Sequence, residues 1–232
     1  MKIAVLGDIH GNAAALEAVL AAAARHRVEA LCITGDFVGY YYQPEEVLAL
    51  LEPWPSYRVR GNHEDMLERA AVEPGFLAQC TKLYGNGLAV ALTSLSAARQ
   101  EALVSLPRSL RVELDGCRIL LAHGSPWSTD EYVYPDAPAA KWQSLSTLDA
   151  DVVLFGHTHH RVVRQVNDTL VINPGSVGQP RDGRPGAAWA LLDTASATAD
   201  LHAEAYDVDS VAAQAKQRDP GMSYLHDVLY RT

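Results

Sequence analysis

The chain has 232 residues, 48% of them hydrophobic and 20% charged, with a net charge of −9. These are ordinary globular values for a length that fits one α/β domain. The acidic balance argues against a long nucleic acid as the main partner, because a phosphate backbone needs a Lys/Arg surface. It does not exclude a small phosphorylated ligand whose charge bound cations would meet. No apolar run approaches the ~20 residues that span a bilayer, and the opening Met1 to Asp8 turns polar too soon for a signal peptide. Cys32, Cys80 and Cys117 are far apart and odd in number. They are expected as reduced core thiols of a cytoplasmic protein rather than as a disulfide framework or zinc knuckle.

Ile3 to Leu6 reads as a first strand, ending at Gly7-Asp8-Ile9-His10-Gly11-Asn12. Residues 13–24 are alanine-rich, with Leu16, Val19 and Leu20 at helical spacing. Ala30 to Thr34 is a second strand, ending at Gly35-Asp36. Pro44-Glu45-Glu46-Val47 suits a helix start, and that helix stops before Pro53. Tyr57 to Val59 forms a third strand, followed by Gly61-Asn62-His63-Glu64. Residues 65–106 carry no comparable motif and read as mostly helical, either a packing segment or a cap over a substrate. Leu110 to Leu114 and Arg118 to Ala122 form a hairpin around Asp115-Gly116, a type I′ turn signal, and end at His123-Gly124-Ser125-Pro126. A helix around Ala137 to Leu148 leads to Asp151 to Phe155. Its apolar core marks a short strand buried on both faces, ending at Gly156-His157-Thr158-His159.

Three further strands follow, Arg161 to Val166, Thr169 to Ile172 and Ala187 to Leu192, with a loop at Asn173-Pro174-Gly175-Ser176. Asp200 to Tyr206 adds a last strand, and Asp209 to Gln217 and Met222 to Tyr230 are closing helices. Strand–helix alternation followed by hairpins predicts a mixed sheet or two packed sheets. The whole chain, 1–232, reads as one domain.

Asp8, His10, Asp36, Asn62, His63, His123, His157 and His159 all fall just past strand ends, where α/β sheets bind ligands. In extended backbone, side chains two apart share a face, so His157 and His159 are expected to point into one site. A two-metal centre needs a bridging carboxylate with imidazole and oxygen donors around it. The absence of Cys from the set favours Mn, with Fe, Co, Ni or Zn as alternatives. Taken singly, Asp8 and Asn62 are equally good helix caps, and His123 is equally good as a core histidine. Glu64 suits a supporting or helix N-terminal role. His26, His160, His202 and His226 have no motif partner and read as surface or packing residues.

Asp8-x-His10, Gly35-Asp36, Gly61-Asn62-His63-Glu64, His123-Gly124 and Gly156-His157-Thr158-His159 together resemble the calcineurin-like metallophosphoesterase superfamily. Val38-Gly39-Tyr40, His123 to Pro126 and Asn173 to Gly183 resemble its bacterial and archaeal branch of small single-domain phosphodiesterases. The likeness runs from the first residue to about Leu192. The resemblance implies a four-layer α/β/β/α sandwich of two mixed sheets, with the metal site at the strand C-terminal ends. It implies a first metal on Asp8, His10 and His159, a second on Asn62, His123 and His157, and Asp36 bridging them. A hydroxide shared by the two ions would attack a small phosphodiester in line, nucleotides among the candidates, with His63 as the catalytic residue.

The chain departs from that branch at Tyr40-Tyr41-Tyr42, where Tyr41 and Tyr42 either stack on a substrate base or pack internally. Arg181 is a candidate for the substrate phosphate. Alternatives are hydrolysis of dinucleoside polyphosphates, or a non-catalytic interaction module on the same fold. The presence of His63 and all seven ligands weighs against the module.

Overall fold

The computed structural model describes residues 1–231. Its first strand, β1 (Lys2–Leu6), is buried from Ile3 to Leu6, as an apolar run covered on both faces must be. A 13-residue helix, α1 (Ala13–Arg25), follows and buries Leu16, Val19 and Leu20. Asn12 caps it by accepting the Ala15 N–H at 3.1 Å, which satisfies one orphan donor of the first turn. The chain returns through β2 (Ala30–Ile33), α2 (Pro44–Leu51) and β3 (Ser56–Arg58).

The segment after His63 is helical, as expected: α3 (Asn62–Val72), α4 (Pro74–Tyr84), α5 (Gly87–Ser94) and α6 (Ala97–Val104). A hairpin then joins β4 (Ser109–Leu114) to β5 (Cys117–Ala122). Its turn places Asp115 and Gly116 at φ 50 and 76, the double left-handed geometry of type I′. Next come α7 (Ala139–Leu145), β6 (Val152–Leu154), β7 (Arg161–Val166), β8 (Thr169–Pro174), β9 (Ala187–Asp193) and β10 (Thr198–Glu204). The closing helices are α8 (Val208–Arg218) and α9 (Tyr224–Asp227). Two boundaries shrink relative to expectation. Pro138 opens α7 later than Ala137, and Met222 to Tyr230 resolves into one helical turn plus a 3₁₀ turn.

Two five-stranded sheets result, in the orders β10-β9-β1-β2-β3 and β4-β5-β6-β8-β7. Both are mixed. In the first, β1, β2 and β3 run parallel while β9 opposes β1. In the second, β5, β6 and β8 are parallel, with β4 and β7 antiparallel at the edges. Ile3, Val5 and Cys32 of one sheet meet Ile119, Leu121, Val152, Leu154 and Ile172 of the other in a shared core. Helix α1 covers the outer face of the first sheet, and α2 to α6 extend the same apolar core outward, while Trp142 and Leu145 of α7 cover the outer face of the second. This is the α/β/β/α sandwich of two mixed sheets. The three cysteines are free and buried. Among the described residues no helix is long and apolar enough to cross a membrane.

Tyr41 and Tyr42 turn into the protein's own packing and do not line the cavity described below. They are 1% and 5% exposed and pack with Val211, Ala215, Leu225 and Val228 of the C-terminal segment. The Tyr41 hydroxyl donates to the Leu225 carbonyl at 3.0 Å, and that of Tyr42 to Asp219 at 2.6 Å. Tyr41→Ala is therefore expected to cost about 3–5 kcal/mol, the usual range for emptying a buried aromatic site. The melting temperature should fall, and activity should decline alike on every substrate. A loss confined to aromatic substrates at unchanged melting temperature would restore the stacking role.

Candidate metal centre

The C-terminal ends of β1, β2, β5 and β6 open on one edge of the sandwich, and the loops they feed are tied together by backbone hydrogen bonds. Asp8 N–H donates to the Gly35 carbonyl, Ile9 and His10 N–H to Asp36, and Gly156 N–H to His123. These ties force unusual backbone. Asp8, His10, Asp36, His157 and His159 all have φ between 53 and 67, a region sparsely used by residues with a Cβ. Strain of this kind persists where surrounding structure over-determines it, and it clusters at functional sites. His157 and His159 thus converge because both are left-handed in a loop past β6. The extended-strand alternation expected for them does not occur.

The side chains of Asp8, His10, Asp36, His123, His157 and His159 are buried and close together. Three overlapping groups bring one donor atom each within 4.8 Å: Asp8, His10 and His159; His10, Asp36 and His63; Asp36, His123 and His157. Nε2 of His10 lies 3.2 Å from Nε2 of His159. His157 Nδ1 lies 3.2 Å from His123 Nε2, which is 2.9 Å from Asn62 Oδ1. Nδ1 of His10, His123 and His159 faces the carbonyls of Val38, Thr34 and Gln179 at 3.1, 2.8 and 2.6 Å. With Nδ1–H donating there, Nε2 of His10 and His159 keeps its lone pair for the site, the arrangement that orients metal-binding histidines, and Nε2 of His123 gains one when its second proton leaves.

Electrostatics favour the same use. Burial holds His10 and His159 well below the usual imidazole range and His157 at about 4, so these rings offer lone pairs at neutral pH. Burial also opposes charge on His123, but the Asp36 carboxylate beside it outweighs burial and lifts the ring to about 10. Burial pushes Asp8 up to about 7. The Asp36 carboxylate thus favours a protonated His123, and a cation binding there must displace that proton. Neutral imidazoles, carboxylates and one amide oxygen are donors that fit divalent transition ions.

The glycines of the motifs make room. A Cβ on Gly61 would overlap Asp36 Oδ1, and one on Gly39, at φ +90, would overlap the His63 ring. Glu64 holds the backbone around Asp36, accepting the N–H groups of Asp36, Phe37 and Gly61 at 2.9, 2.8 and 2.8 Å. It is fully buried. The loop after β8 does the same for the other side. Asn173 Nδ2 donates to the Gly156 carbonyl and to Thr158 Oγ1, and Ser176 Oγ donates to the Asp8 carbonyl.

That loop is anchored by Asp182, whose carboxylate accepts Arg161 Nε and Nη2 at 2.7 and 2.8 Å. Burial works against the Asp182 charge, but Arg161 outweighs it and holds the carboxyl at about 2. A carboxyl depressed below its ordinary value of about 3.9 adds stability above that pH and loses it as pH falls toward 2. Asp182→Asn is expected to cost about 3 kcal/mol at pH 7, as for a broken buried pair. It should also remove part of the decline in melting temperature between pH 4 and pH 2. Parallel melting curves for both proteins across that window would rule this out.

A cavity of about 280 Å³, its open mouth included, is lined by Asp36, Asn62, His63, His157, His159 and Arg181, with Tyr40, Tyr84 and Tyr132. Arg181 Nη2 donates to the Tyr40 hydroxyl at 3.0 Å and to Gln179 Oε1 at 2.6 Å. Of the tyrosines after Gly39 it is Tyr40, at φ 53, that turns into the cavity. Tyr84 and Tyr132 carry no motif signal, since they reach the cavity from α4 and from the loop after β5.

A family model described as the calcineurin-like phosphoesterase superfamily domain matches residues 1–197. The chain is 28% identical over 228 residues to an uncharacterised protein of Methanocaldococcus jannaschii, covering 89% of this chain and 88% of that one. It is 26% identical over 203 residues to the phosphodiesterase YfcE of Escherichia coli K12, covering 83% and 88%. A solved metallophosphoesterase from Sphaerobacter thermophilus superposes with a TM-score of 0.76 at 27% identity, covering 98% and 99% of the two chains. A hypothetical protein from Pyrococcus horikoshii shares the fold with a TM-score of 0.86 at 21% identity, over 99% and 98%. With most of its length inside the family model and its clustered carboxylates and histidines at the sheet edge, the chain belongs to the calcineurin-like phosphoesterase superfamily.

Proposed function

We propose that the chain is a phosphodiesterase for small phosphate esters that works with two divalent cations, manganese foremost. Asp8, His10 and His159 would hold one ion, Asn62, His123 and His157 the other, with Asp36 shared. The observation that carries this reading is the position of Asp36. Its Oδ2 lies 3.6 Å from His10 Nε2 and 3.3 Å from His123 Nε2, so one carboxylate oxygen faces both halves of the cluster. Its Oδ1 accepts the His63 N–H at 2.9 Å, which fixes the carboxylate plane.

When bound, such ions make water acidic enough to supply a nucleophile near neutral pH and offset phosphate charge. The chain's own part is placement. His63 Nδ1 is buried without a hydrogen-bond partner, and an unpaired lone pair there costs less than an unpaired N–H. Its proton therefore belongs on Nε2, where the ring can donate to a phosphoryl or leaving oxygen. Arg181, held by Gln179 and Tyr40, supplies a fixed positive charge for the phosphate. Three buried free thiols suit the reducing cytoplasm as the working compartment.

The test is a panel of bis-p-nitrophenyl phosphate, cyclic nucleotides, dinucleoside tetraphosphates and p-nitrophenyl phosphate, offered to metal-reconstituted and chelated protein. We expect diester hydrolysis that chelation abolishes, with two metal equivalents per chain by elemental analysis. Metal-loaded protein inert to every diester would end the phosphodiesterase reading. One equivalent with all seven ligands intact would end the two-metal one. Highest kcat/KM on the tetraphosphate would make dinucleoside polyphosphates the substrate class.

A further inference from the structure

We infer that Tyr84 and Tyr132 form an aromatic subsite on the cavity rim, which takes a planar ring carried by the substrate's ester group. The inference rests on the phosphoesterase reading of the cavity and adds its substrate class. The space it encloses is only about 40 Å³, far below the usual range for sites that enclose a whole ligand, so the ester substituents of a substrate must lie across the rim.

Two large aromatic side chains wait there. Tyr132 is 53% exposed although its ring centroid lies only 4.1 Å from that of His157. It is also stacked on Tyr134 at 5.7 Å and 10°, so it is braced rather than free to swing. Tyr84, in the same lining, is 36% exposed and 6.0 Å from both His63 and Tyr40. Ligand clefts are commonly lined by aromatic side chains around a few placed polar groups, and both rings line this cavity. A tyrosine ring supplies stacking area at little conformational cost. Tyr41 and Tyr42 are sealed in the C-terminal packing and cannot serve.

The partner chemistry is a planar ring on a phosphate ester, an aryl or a nucleobase group, and a binding series separates the two. Metal-loaded wild-type protein is titrated calorimetrically with methyl phosphate, phenyl phosphate and thymidine 5′-monophosphate. We expect both ring-bearing ligands to bind more tightly than methyl phosphate. Tyr132→Ala and Tyr84→Ala should lose that advantage, about 5- to 150-fold if base stacking on an aromatic is the guide. Methyl phosphate affinity should fall far less than the affinity for the ring-bearing ligands, and the corresponding Phe variants should keep the advantage. Preference for phenyl phosphate alone assigns a simple aryl slot; preference for both assigns one wide enough for a nucleoside. No ring preference in the wild type, or a preference that survives both alanine variants, overturns the subsite. Hydrolysis of bis-p-nitrophenyl phosphate is read separately, so a protein that binds rings but cleaves nothing refutes the activity and not the subsite.

Discussion

Asp36→Asn is expected to lower both metal content and kcat/KM by more than about a hundredfold. Losing a group one step removed from a metal typically costs 10- to 100-fold in affinity or activity, and a carboxylate facing both halves of the cluster should exceed that. Asparagine keeps the shape and one oxygen but loses the charge. The backbone around it should stand, because Glu64 holds the N–H of residue 36 and not its side chain. Glu64→Gln is the matching control, expected to stay inside the 10- to 100-fold range. Elemental analysis of purified variants, with turnover measured across a metal titration, reads both quantities. Near-native turnover of Asp36→Asn at ordinary metal concentration would move the bridge to another residue.

Much of this site is legible in the sequence because its donors fall just past strand ends in short motifs that carry glycine. The structure gives those glycines a reason: Gly61 and Gly39 leave the space that Asp36 and the His63 ring occupy. The backbone of the donors is not legible. Left-handed φ at Asp8, His10, Asp36, His157 and His159 comes from long-range ties. The His157 N–H, for example, donates to the Asp8 carboxylate 149 residues away. No local pattern reports such a bond, so His157 and His159 come to line one cavity through left-handed turns where strand alternation is expected.

The tyrosine run fails for a related reason. Which of three adjacent rings faces the cavity depends on the left-handed turn at Tyr40 and on a C-terminal segment more than 160 residues away in sequence. Residues 65–106 likewise divide in a way composition does not reveal. Their helices pack mainly on one another and on α2, while Tyr84 at the end of α4 reaches the cavity.

The second large effect is expected at His63. His63→Gln should lower kcat by about 10²- to 10⁴-fold, the usual worth of a positioned acid or base, while metal content stays at the wild-type value. The reason is geometric. Nδ1 is buried against Gly39 without a partner, and burial holds the ring below its ordinary pKa, so a neutral imidazole carries its proton on Nε2. If that proton serves the leaving oxygen, the loss depends on the leaving group. p-Nitrophenolate departs without help, whereas an alkoxide from a cyclic nucleotide does not, so the latter substrate should lose more. Equal losses on both would assign His63 to the non-leaving phosphoryl oxygens. His63 also stands within 4.8 Å of donor atoms on His10 and Asp36, so its role as a ligand has to be tested in the same experiment. A fall in metal stoichiometry that tracks the fall in kcat would make His63 a metal ligand and remove it from the chemistry of the leaving group.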